Sequence, residues 1–161
     1  SPYEGLLPRS QSKESRAMPM VRMIYASKLT DKCTTDELRK ILKVSRDNNR
    51  DKSVTGILCY DPQYFVQLLE GDRDTINKLY LTIASDERHT DPVIVAYDEI
   101  AERSFPGWSM AYLSMSDVDK SIVLKYCQTA RYDPYEMSSN SLLSMLMEFS
   151  LFKPDIIGSS G

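Results

Sequence analysis

Val54-Thr55-Gly56-Ile57-Leu58-Cys59-Tyr60, Asp61-Pro62-Gln63 and Tyr64-Phe65-Val66-Gln67-Leu68-Leu69 read as strand, turn and strand, a β-hairpin. The second strand holds a misfit. Gln67 is a primary amide in an apolar run, and a buried amide without partners costs about 1–3 kcal/mol. Alternation puts Phe65, Gln67 and Leu69 on one face and Val66, Leu68 and Glu70 on the other. Gln67 therefore shares its face with large apolar side chains. A glutamine in a strand is most often exposed, so its meaning depends on what flanks the hairpin.

Upstream, Val21 to Ala26 reads as a strand with Val21, Met23 and Tyr25 on one face. A helix follows: Thr34-x-x-Glu37 matches a capping box, and Leu38, Ile41, Leu42 and Ser45 recur at helical spacing, with Asn48 and Asn49 extending the stripe. Downstream, Ile76, Leu79, Tyr80 and Ile83 mark a second helix that opens near Asp72 or Asp74 and closes around Asp86-Glu87-Arg88-His89. Pro92 to Ala96 and Trp108 to Leu113 complete five strands. Strand, helix, hairpin, helix, strand, with one strand appended, predicts an α+β fold: a ferredoxin-like sandwich whose five-stranded mixed sheet carries two helices. In that topology the first and third strands adjoin. If Tyr25 and Gln67 both face the helices, a phenol and an amide become neighbours beneath them. The groove between the helices would then offer Tyr25, Ser45, Asn48, Asn49 and Gln67 at the rim of apolar walls, a setting suited to a planar heterocycle.

Composition narrows the function classes. The chain has 161 residues, 42% hydrophobic and 27% charged, with a formal net charge of −3, ordinary values for one domain. The acidic balance argues against nucleic acid and anionic membrane surfaces, and no apolar run approaches a bilayer span of ~20 residues. Cys33, Cys59 and Cys127 are odd in number and far apart, which predicts neither a disulfide framework nor a zinc site and fits a cytoplasmic protein. A metal site or Ser-His-Asp centre would have to use His89, the one histidine. Residues 1–19 lack periodicity and read as a disordered leader or expression remnant, with Met18 or Met20 suited to a natural start; 154–161 reads as a frayed tail.

Six stretches, in order and spacing, resemble the BLUF domains, blue-light photoreceptors that use FAD. They are Arg22-Met23-Ile24-Tyr25-Ala26-Ser27, Ile41-Leu42-x-x-Ser45-x-x-Asn48-Asn49, Thr55-Gly56-Ile57-Leu58-Cys59-Tyr60, Phe65-Val66-Gln67-Leu68-Leu69-Glu70-Gly71, Asp86-Glu87-Arg88-His89 and Arg103-Ser104-Phe105-Pro106-Gly107-Trp108-Ser109-Met110. They cover residues 20–113, taken as the flavin-binding domain. Val123-Leu124-Lys125-Tyr126, in a helical extension over 114–153, resembles more loosely the short PixD-type members.

The resemblance implies roles that each side chain can fill. Tyr25 matches the tyrosine that gives an electron and a proton to the excited flavin. Gln67 matches the glutamine bridging tyrosine and flavin, whose two unlike amide ends let rotation, or a shift to the imidic-acid tautomer, redirect a hydrogen bond. Asn48 and Asn49, with Ser45 in support, match contacts to the flavin pyrimidine edge, although asparagines also suit a helix C-terminus. Arg88 and His89 match a segment near the flavin edge and ribityl chain; the helix dipole equally explains basic residues there. Trp108 and Met110, expected to share a strand face, match the pair that relays the glutamine switch, and simple core packing explains them too.

The resemblance also implies FAD, with FMN or riboflavin as substitutes, and no enzymatic activity. Asp117 to Gln128 and Ser138 to Phe152 read as further helices, richer in apolar residues than one docked helix requires. Output is expected through homo-oligomers and a response-regulator-like protein partner, as in the related short proteins. Two other readings of the groove remain: a flavin-dependent oxidoreductase, for which no acid/base pair stands out, and a ferredoxin-like interaction or RNA-binding module, against which the acidic composition counts.

Overall fold

The computed structural model describes residues 18–152 and 155–159; the proposed leader lies outside them except for Met18 and Pro19. Ten elements follow in order: β1 (Met20–Leu29), α1 (Thr35–Asp51), β2 (Thr55–Tyr60), β3 (Tyr64–Asp72), α2 (Arg73–Ala84), β4 (His89–Glu99), β5 (Trp108–Ser114), α3 (Lys120–Tyr126), α4 (Ser139–Phe149) and β6 (Asp155–Ser159). The strands form one mixed sheet in the order β4-β1-β3-β2-β5-β6. β1 pairs antiparallel with β3 and β4, β2 antiparallel with β3 and parallel with β5, and β5 antiparallel with β6. The first five are the ferredoxin-like set with its appended strand. The sixth differs from the expected frayed tail: Asp155–Ser159 pairs along β5, whose outer edge offers unpaired backbone groups to a segment containing β-branched Ile156 and Ile157.

Local chemistry sets the boundaries. Thr34 caps α1, its hydroxyl accepting from Glu37 N at 3.2 Å, with Asp36 and Glu37 at the positive end of the helix dipole. Asp72 caps α2, accepting from Thr75 N at 2.9 Å. The hairpin turn closes on Asp61, whose carboxylate accepts from Gln63 N and Tyr64 N. β4 runs longer than the expected Pro92–Ala96 because it is an edge strand, where proline is tolerated; the pairing with β1 skips register around Asp91 and Pro92.

Two cores flank the sheet. Val21, Met23, Tyr25, Phe65, Leu69 and Met110 pack under α1 and α2, joined by Leu42 and Ile76. On the opposite face Ile24, Ile57, Val66, Leu68 and Phe105 meet Val123 of α3 and Leu142, Met145, Leu146 and Phe149 of α4. Much of the apolar surplus in the last two helices thus covers the second sheet face, while Leu124, Met147 and Leu151 stay exposed.

Gly56 is required by close approach. A Cβ there would lie 1.9 Å from the Leu68 carbonyl oxygen, and φ is +158°. Gly56→Ala is expected to lower stability by at least about 3 kcal/mol in denaturant titration, because backbone rather than a flexible side chain must yield.

The connection from β4 to β5 is bonded strand by strand. Ile100 N donates to Met20 O of β1, and Arg103 donates to Thr55 Oγ1 of β2, to Glu70 O of β3 and to Ser53 O. The fully buried Glu70 carboxylate accepts from Ser104 N and Phe105 N at 2.9 Å each. Arg22 neutralises it, with Nε at 3.2 Å and a second guanidinium nitrogen at 3.1 Å, and also donates to Ser104 Oγ at 2.6 Å.

Candidate functional site

Tyr25 and Gln67 are cross-strand partners of β1 and β3, and both side chains face the helices. The Tyr25 hydroxyl donates to Gln67 Oε1 at 2.6 Å. Gln67 is 5% exposed, so its amide is buried, and strand alternation puts it there. Its nitrogen faces Met110 Sδ at 3.5 Å. A thioether is a weak acceptor, so this N–H group keeps capacity for a better partner. Tyr25 packs edge-on against Tyr80, ring centroids 5.7 Å apart. Burial, with smaller pushes from Tyr80 and Asp86, raises the phenol's pKa well above its ordinary range. Tyr25 therefore stays protonated and keeps donating.

These groups border a narrow cleft between α1 and α2, with a cavity of about 60 Å³. Ile41 and Leu42 of α1, Leu58 and Phe65 of the hairpin and Ile83 of α2 supply apolar walls; Ser45, Asp86, Arg88 and His89 join Tyr25 and Gln67 at the polar rim. Asn49 lies buried, its amide donating to Ser109 O of β5 at 3.0 Å, so it fastens the end of α1 to the sheet. Asn48 does not line the cleft. It is exposed, because the residue four after Ser45, and not the one three after it, continues the buried stripe.

Arg88 forms a clasp. It bonds Asp86 at 2.5 Å and Glu37 of α1 at 3.2 Å, joining the two helical segments. The Arg88 hydrogen bond pushes the Asp86 carboxyl down to about 2 from 3.8. A lowered folded-state pKa means stability present above the unfolded value and lost as pH falls through the folded one. Asp86→Asn should therefore cost about 1 kcal/mol at neutral pH, as a half-exposed pair allows. The difference from wild type in urea titrations should shrink between pH 4 and 2.

His89 lines the cleft but is engaged within the chain. One ring nitrogen meets Ser27 Oγ at 2.8 Å and the other donates to the Ile83 carbonyl. Trp108 corrects the expectation of a shared strand face with Met110. Met110 is fully buried on the helix side beside Gln67, whereas Trp108 packs on Phe105, centroids 5.6 Å apart, against the opposite core. Trp108 opens β5 while the backbone still turns, its N–H bonded to Phe105 O, so alternation does not yet hold.

The lining of the cleft has the chemistry that suits a flat heterocycle, with apolar walls and a polar rim. A family model described as "Sensors of blue-light using FAD" matches residues 20–111. The chain belongs to the BLUF family. BLUF domains are flavin-binding blue-light sensors, and this chain shares 37% identity over 92 residues with photoactivated adenylate cyclase subunit beta of Euglena longa, covering 56% of this chain and 11% of that protein. The photo-activated state of BlsA superposes with a TM-score of 0.77 at 28% identity, covering 84% of this chain and 97% of that one. The dark state of the BLUF protein BlrB gives 0.70 at 26%, covering 81% and 94%. The residues present fit a BLUF flavin: apolar walls, an amide donor whose partner among the described residues is a weakly accepting sulfur, and a protonated phenol behind it.

Asp86, Phe65, Leu58 and Ile83 are lining residues that the sequence reading did not single out as site residues. Asp86 carried a signal, since it stands two residues before Arg88 at the end of the helical stripe. Among the described residues no helix is long and apolar enough to cross a membrane, and no cluster could hold a metal ion.

Proposed function

We propose that this chain is a blue-light photoreceptor that binds FAD in the α1–α2 cleft, with Tyr25 as electron and proton donor and Gln67 as the switch. The observation that carries the reading is the buried 2.6 Å hydrogen bond from Tyr25 to Gln67 at the cleft wall. When bound, the flavin supplies blue-light absorption and an electron-accepting excited state. The chain's residues do the rest. Tyr25 releases an electron and its hydroxyl proton, and Gln67 Oε1 is the atom positioned to take that proton. With Oε1 protonated and the phenol oxygen no longer donating, the side chain is free to rotate, exchanging which end meets the phenol and which meets Met110. Tyr25 then recovers its electron together with a proton, either the one held on Oε1, which leaves a rotated amide, or one from Nε2, which leaves the imidic-acid tautomer.

Ser45 and Arg88 hold the rim, Asn49 fixes the α1 end, and His89 positions the wall through Ser27 and Ile83. Met110, in contact with Gln67, carries the switch into β5; Trp108 senses it from the opposite face. Residues 20–113 form the sensor and 114–153 the extension, whose α3 and α4 pack on the sensor's far face. The sensor is not itself an enzyme. Output passes to protein partners through self-association and a response-regulator-like protein, and the three free thiols suit a cytoplasmic setting.

Absorption spectra before and after blue illumination test this. Yellow protein whose flavin band moves to longer wavelength and returns in the dark supports the reading; bleaching coupled to substrate turnover supports an oxidoreductase instead. Chromatography of the released cofactor distinguishes FAD from FMN or riboflavin, and light scattering in light and dark reports self-association.

A further inference from the structure

Glu70 stands three residues after Gln67 on β3 but points to the opposite sheet face, among the core that includes Phe105. It is fully buried, and its carboxylate accepts the Ser104 and Phe105 backbone N–H groups. Phe105 in turn stacks on Trp108 and accepts its N–H. A buried carboxylate fastened to loop N–H groups, and neutralised by Arg22, is a stiff tie.

From this arrangement we infer that Glu70 is a positioning residue that couples β3 to the segment carrying Trp108. Gln67 and Met110 meet on the helix side of the sheet, whereas Trp108 packs on the other. A rearrangement at Gln67 that Met110 passes into β5 moves Trp108 fully only where β3 and the start of β5 move together. Glu70 makes them do so. The light-driven half of this statement rests on the photoreceptor reading above; the positioning half rests on the hydrogen bonds alone.

Trp108 is the single tryptophan of the chain, so its fluorescence reports this segment without a label. Glu70→Gln puts an NH₂ group against either the loop N–H groups or the Arg22 guanidinium, donor against donor, and so loosens one side of the tie. In flavin-free protein the variant should show longer-wavelength Trp108 emission and greater acrylamide quenching, with the circular dichroism of wild type. In flavin-loaded protein the band shift, made at Gln67, should persist while the light-induced change in Trp108 emission falls by roughly tenfold. A merely structural role would lose both together. If Glu70→Gln does not fold, Glu70→Gln combined with Arg22→Met removes both buried charges and supplies the same comparison. Unchanged quenching in the flavin-free variant, or an unchanged light response of Trp108, overturns the inference. A wild-type protein with no light-driven band shift sinks the photoreceptor reading, and the flavin-free quenching comparison then decides the positioning role by itself.

Discussion

Gln67→Leu retains flavin and shows no reversible band shift under blue light. Leucine fills comparable space between Phe65 and Leu69, so the apolar walls of the cleft are preserved. What disappears is the acceptor for the Tyr25 hydroxyl, now bonded at 2.6 Å, and the amide that bridges that phenol and Met110. The stranded hydroxyl should cost about 1–3 kcal/mol in unfolding experiments. Difference spectra of the loaded variant check the photochemical half. A normal photocycle with leucine at 67 would falsify the switch assignment.

Tyr25→Phe has an effect as large on the light reaction and a smaller one on the fold. Phenylalanine keeps the ring that meets Tyr80 edge-on and the packing beneath the helices, so cofactor retention and circular dichroism should match wild type. The hydroxyl proton and the readily oxidised phenol are gone. No ordinary band shift is expected, and stability should fall by about 1 kcal/mol as Gln67 Oε1 loses its donor. Persistence of the shift in this variant would show that another group supplies the electron. Comparing the two variants separates donor from switch: time-resolved absorption should still detect light-driven oxidation of Tyr25 in Gln67→Leu and none in Tyr25→Phe.

The pairing of Tyr25 with Gln67 was readable because strand periodicity fixes faces and the element order fixes neighbours. The capping residues and the α1 stripe through Ser45 were readable for a similar reason, since each follows from spacing along one element. Three features were not. Trp108 lies at a strand start, where alternation has no purchase, and only the turn at Phe105 decides its side. Glu70 bonds backbone N–H groups, which every loop residue but proline possesses, so no side-chain pattern announces the tie. β6 depends on a free edge of β5, a property of the assembled sheet and invisible in residues 154–161 themselves.

β4 and β5 stand four places apart in the sheet, a span of about 19 Å at ~4.8 Å per strand. Residues 100–107 must bridge it, with an extended reach of only about 27 Å. This segment therefore lies like a drawn belt across the ends of β1, β3 and β2, buckled to each in turn. Any sliding of one central strand along its axis tugs a single short cord, and the cord ends at the indole.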